Sequence, residues 1–159
     1  MTTHRFFKVA RPVFGVLLII TCAAAAVAGG FQLRVEVPQD DSDVVVLVRT
    51  YRCHKPEKAK VTGTAEGLVD GQRVSVPITL KTVKKGVYSV ERQWSAQGSW
   101  VLTFSGSYAG HHTSTVVTLD DGKVALRETE RGMELDARYL PRKLKSSDVE
   151  RALQRITAP

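Results

Sequence analysis

The sequence predicts an all-β protein, an immunoglobulin-like antiparallel β-sandwich of about seven to eight strands closed by a short C-terminal α-helix. Three observations carry this expectation. Apolar and polar residues alternate strictly over several stretches, which is the signature of strands with one buried face. Turn-forming clusters near Gln39–Asp43, Val69–Gly71, Lys84–Gly86, Ala96–Gly98 and Ala109–His112 divide those stretches at intervals suited to a two-sheet sandwich. Helical periodicity is confined to the C-terminal end.

The first strand alternates Phe31, Leu33, Val35 and Val37 with Gln32, Arg34 and Glu36. Val44 to Arg52 is a β-branched run suited to a central strand, and Lys60 to Glu66 offers a thinner inward face of Val61, Gly63 and Ala65. Val74, Val76, Ile78 and Leu80 form the next apolar face, Tyr88, Val90 and Trp94 share another, and Trp100, Leu102 and Phe104 a third. Thr113 to Leu119 and Lys123 to Thr129 complete the series, joined through Asp120-Asp121-Gly122, a tight Asp-Gly turn. Past Pro141, Ser147 to Glu150 reads as a capping box opening a helix with Val149, Ala152, Leu153 and Ile156 on one face. That stripe predicts docking on the sandwich; a detached helix meeting a partner or a membrane surface is the alternative.

Residues 1–28 have the order of a secretory signal peptide: Arg5, Lys8 and Arg11, an acid-free apolar run from Val13 to Val27, and the small residues Ala26-Val27-Ala28. The apolar run is shorter than the about 20 residues that comfortably span a bilayer, so cleavage is expected and an uncleaved anchor is the alternative. The expected organisation is a signal peptide over 1–28, a sandwich over 29–137 and a basic tail with a short amphipathic helix over 138–159. Export to the periplasm or beyond follows from the signal, with membrane anchoring if it stays attached.

Removing the three basic residues of the leader lowers the formal charge from +7 to +4. The remaining excess lies in the tail, at Arg138, Arg142, Lys143, Lys145, Arg151 and Arg155 against Asp148 and Glu150, so the body is neutral in sum. A neutral body speaks against a nucleic-acid-binding module, which wants a basic face on the folded domain. The tail is a candidate for a weak contact with anionic headgroups or an acidic partner.

Cys53 is the one cysteine left after cleavage, so no intramolecular disulfide is expected, and pairing with another chain is one fate for its thiol. Cys53-His54 and His111-His112 are the candidate metal ligands, because thiolate and imidazole suit copper(I) or zinc(II). His111 and His112 are expected in a loop, and neighbouring residues on an extended chain point to opposite faces, so each pair would supply one ligand. Asp40-Asp41-Ser42-Asp43 lacks the spacing of a calcium loop and reads as a solvated turn. Hydrolase signatures such as G-x-S-x-G, S-x-x-K and H-E-x-x-H are missing from the sequence, which is expected to be non-catalytic and to need no cofactor. Trp100 reads as core, whereas Trp94 is open to either a core or a sugar-stacking role.

Gly86-Val87-Tyr88, followed by Gly98-Ser99-Trp100-Val101-Leu102, resembles a pattern in bacterial exported immunoglobulin-like domains of the YtkA-like and FixH-like kind, over about residues 58–120. The glycine releases the chain from a turn and the aromatic residue two positions later plugs the core. The resemblance implies a sandwich fold and an envelope location. FixH-like proteins carry a membrane-anchoring helix and associate with cation pumps, a role the expected cleavage puts in doubt. The expected function is therefore an exported interaction or accessory domain whose partner is another envelope protein, with a periplasmic copper or zinc carrier as the alternative.

Overall fold

A computed structural model describes residues 30–38, 43–120, 122–130 and 132–157. The expected leader, Asp40 to Ser42 and Asp121 lie outside the described residues. The strands are β1 (Gln32–Glu36), β2 (Val44–Tyr51), β3 (Lys60–Val69), β4 (Gln72–Ile78), β5 (Lys81–Lys84), β6 (Val87–Glu91), β7 (Ser99–Tyr108), β8 (His111–Asp120), β9 (Lys123–Val124), β10 (Leu126–Thr129), β11 (Gly132–Leu135) and β12 (Ala137–Leu140). The helix α1 (Ser146–Thr157) follows.

Two antiparallel sheets face one another. One has the order β1-β2-β6-β5, the other β12-β8-β7-β3-β4, with β9 continuing the β12 side of β8. Eight of these strands have the ABED and GFCC′ arrangement of immunoglobulin folds, so the expected sandwich is present, and β12 adds a ninth at the edge beyond β8. Four features depart from the expected strand list. Lys81–Lys84 makes its own edge strand, because all four side chains are exposed and no alternating face announces it. The segment expected as one strand over Lys123 to Thr129 is broken between β9 and β10, and β10 pairs with β11 as a hairpin standing apart from both sheets. His111 and His112 open β8 instead of sitting in a loop. The expected junction at 137 and 138 falls inside β12, whose Arg138 and Leu140 pair with Val116 and Ser114 of β8.

The core lies between the sheets. Phe31 just before β1, Leu33 and Val35 of β1, Val46 and Val48 of β2 and Val90 of β6 meet Trp100, Leu102 and Phe104 of β7 and Val117 and Leu119 of β8. Strand β3 makes room for the large rings: Gly63, Ala65 and Gly67 stand opposite Phe104, Leu102 and Trp100 in register. A Cβ on Gly67 would come within 2.5 Å of the Trp100 ring. Trp100 is reached through Gly98, at φ 90°, where a side chain would also strike the Leu68 carbonyl. Its indole Nε1 donates to the Gln97 carbonyl at 2.8 Å. Trp94 is buried as well, which removes it as a sugar-stacking platform.

The helix forms a third layer. Val149, Ala152 and Leu153 cover Val101, Val116 and Leu140 on the outer face of the second sheet, with Leu144 and Ile156 at the rim, so the helix docks as its stripe predicts. The expected capping box is displaced by two residues. Asp148, not Glu150, sends its carboxylate back to the Lys145 N–H at 3.1 Å, and Arg142 grips the same carboxylate with two hydrogen bonds of 2.7 and 2.8 Å. Those bonds outweigh burial, which alone would raise the Asp148 carboxyl, and hold it at about 2. Ser114 of β8 donates to the Arg142 carbonyl at 2.9 Å, tying this lock to the sheet. Among the described residues, no helix is long and apolar enough to cross a membrane.

Two outcomes test this packing. Gly67→Val should destabilise the fold by about 1–3 kcal/mol through overpacking against Trp100, read as a lower urea midpoint; an unchanged midpoint would contradict the close approach. Asp148→Asn should cost about 1–2 kcal/mol at neutral pH, because it removes a charged, multiply bonded cap. The folded carboxyl titrates below the unfolded one, so its stabilisation is whole above about pH 4 and fades as pH falls towards 2. The gap between wild type and variant should therefore close over that interval in urea melts, and a constant gap would refute the assignment.

Candidate functional site

The four candidate ligands gather at one end of the sandwich, where β2, β7 and β5 finish and β3, β6 and β8 begin. After Tyr51, Arg52 takes a left-handed conformation at φ 57° and turns the chain out of the sheet. Cys53 follows, half-buried against the core, and His54 is exposed. A single 3-10 turn over Pro56–Lys58, opened by its proline, returns the chain to β3 and seats Ala59 in the core.

This loop is fastened to the neighbouring hairpin. The Lys55 N–H donates to the Tyr108 hydroxyl at 3.3 Å, and the Tyr108 ring rests against Phe31 with 5.8 Å between centroids. Gly86 lies under the same loop: its carbonyl accepts hydrogen bonds from the N–H and hydroxyl of Thr50, and its α-carbon approaches Pro56 too closely for a side chain. The β5–β6 turn carrying Lys84 and Lys85 is thus held beside the Cys53–Lys58 loop.

His111 and His112 sit directly past the turn at Ala109 and Gly110, opposite Tyr108 and Ser107 respectively. Cross-strand partners share a face, so His111 lies on the Tyr108 side with the Cys53 loop and His112 on the other. His112 instead lines an open groove of about 400 Å³ on the outer face of the second sheet, with Lys60, Ser105, Ser107 and Lys143 around it. The structure therefore brings the two pairs to one end and divides His111 from His112 by the sheet. Among the described residues, no three His, Cys, Asp or Glu side chains come together as a group able to hold a metal ion.

A second feature escaped the sequence reading. The β10–β11 hairpin leaves the sheet edge where Ala125 and Asp136 bond to Thr118 and to each other, towards the far end of β8 from the histidines. Leu126 stands opposite Leu135 and Met133 opposite Glu128, so all four share one face. Leu135 packs against the core and anchors the hairpin. Leu126 and Met133 remain 53% and 64% exposed. The signal for such a feature was faint, since a Leu and a Met among charged residues have no periodicity that says which way they face.

Comparison with known proteins returns no matching family model, no matching curated protein and no matching solved structure.

Proposed function

We propose that this chain is an exported, non-catalytic interaction or accessory domain of the bacterial cell envelope, and that it contacts another envelope protein through the β10–β11 hairpin. The observation that carries the reading is the exposure of Leu126 and Met133 on a hairpin whose strands join neither sheet and which is held only at its base. An isolated two-stranded hairpin is marginal in water, and burying two large apolar side chains against a partner would add about 2–5 kcal/mol before ordering costs. The charge, apolar run and small-residue order of residues 1–28 supports export, as does the resemblance carried by Gly86 to Tyr88 and Gly98 to Leu102.

A photo-reactive residue at position 133 of the full chain should give discrete adducts with an envelope protein, while one at Gln154, exposed on the helix, should not. Matching adduct patterns, or fractionation of the chain with the cytosol, would overturn the reading.

The carrier reading, copper or zinc bound by Cys53 with His54, His111 or His112, draws on the Lys55–Tyr108 bond that sets the Cys53 loop beside the start of β8. The interaction reading expects substoichiometric copper and zinc on the purified, reduced chain. One equivalent of either metal, lost on Cys53→Ser, would favour the carrier.

A further inference from the structure

The end of the sandwich that holds the Cys53 loop is also its basic pole. Arg52, Lys55 and Lys58 in that loop, Lys60 at the start of β3, and Lys84 and Lys85 in the turn held against it are all exposed. His54, His111 and His112 lie among them, also exposed. Leu140–Lys143, which runs alongside the beginning of β8 through the Leu140–Ser114 pair, brings Lys143 to the same rim, where it lines the groove with Lys60 and His112. In these segments the carboxylate present is Glu57. Arg142 is engaged by Asp148, and among the described residues no ion pair joins the lysines named here to a carboxylate.

The far end is of mixed sign, with Asp43, Asp70 and Asp120 beside Arg92 and Lys123. The neutral sum of the body thus conceals a separation of charge along the strands, and a surface of this kind attracts an extended anionic partner.

The path of the chain indicates which one. Gln32 pairs with Tyr51, so β1 starts at the basic pole and Gly30 and Phe31 lie there too. The acid-free run Val13 to Val27 comes immediately before in sequence. While this run is attached, before cleavage or if it is retained, a bilayer that receives it lies within a few residues of the basic pole and sets its anionic headgroups opposite the lysines.

We infer that the pole formed by the Arg52–Lys60 loop, the Lys84-Lys85 turn and the Lys143 rim is a docking surface for anionic phospholipid bilayers. Several lysines contribute in parallel through loosely held, hydrated charges, so the contact depends on headgroup charge density and weakens with salt. The surface is separate from the Leu126–Met133 hairpin, and either can fail without the other.

The test uses the full chain, so that the apolar run contributes equally to every sample. Its partition into vesicles of phosphatidylcholine containing phosphatidylglycerol is compared with that into pure phosphatidylcholine. The ratio should favour the anionic vesicles and fall by at least about tenfold in a variant with Lys55→Glu, Lys58→Glu, Lys84→Glu and Lys85→Glu. A far-end control, Arg92→Glu with Lys123→Glu, should fall less than half as far on a logarithmic scale. In the wild-type chain the preference should shrink as salt rises from about 0.05 to 0.5 M, which holds the inference open to refutation even if the fourfold variant misfolds. An equal loss in the control, or a wild-type ratio indifferent to phosphatidylglycerol and salt, would overturn it. So would capture of soluble polyphosphate at the pole without a preference for anionic vesicles, which would mark a site for free polyanions.

Discussion

Strand β7 is buried on both of its faces, and that constraint organises the molecule. Trp100, Leu102 and Phe104 point between the sheets while Val101 and Thr103 on the opposite side are also excluded from water. A sheet with one wet face would leave Val101 and its neighbour Val116 exposed. The inner side chains require a facing sheet, with room beside them, which Gly63 and Gly67 of β3 provide. The outer ones require a cover, which α1 provides. Three layers follow from one strand, and apolar packing of this kind can hold the sandwich without an internal disulfide.

The same arrangement divides the surface. The helix occupies part of the outer face of the second sheet, and the Arg142–Asp148 lock fixes where the chain turns into it, leaving Lys143 at the rim of the His112 groove. The two ends of the strands then differ in chemistry: one gathers cations from loops distant in sequence, and the other side carries a hairpin with exposed apolar side chains.

Much of the fold was legible because period-two alternation reports burial directly, as at Phe31, Leu33 and Val35 or at Trp100, Leu102 and Phe104. Alternation is silent where both faces or neither are buried. Alternation at Trp100, Leu102 and Phe104 leaves Val101 on the opposite side with nothing local to bury it, because the helix that covers it lies some fifty residues further on, and Lys81–Lys84 offers no face at all. The cap moved from Ser147 and Glu150 to Lys145 and Asp148 because a tertiary partner, Arg142, can satisfy the buried Asp148 carboxylate, whereas Glu150 faces solvent near Arg73. The gathering of the candidate ligands at one end and the separation of His111 from His112 both depend on strand register, His111 with Tyr108 above all, which no local pattern discloses. Likewise, counting charge over residues 29–137 gives zero and hides the pole that topology assembles.

The claim most exposed to measurement is that α1 belongs to the same cooperative unit as β7. A helix of this length is marginal alone, so any lasting protection of its amides must come from docking. Native-state hydrogen exchange resolved by residue compares the amides of α1 around Leu153 with those of Leu102 and Phe104. The account predicts that both sets open with the same free energy and the same urea dependence, as one global unfolding event. Exchange of the α1 amides through a separate, much cheaper opening that leaves β7 protected would show that the helix is an appendage and that Val101 does not need it.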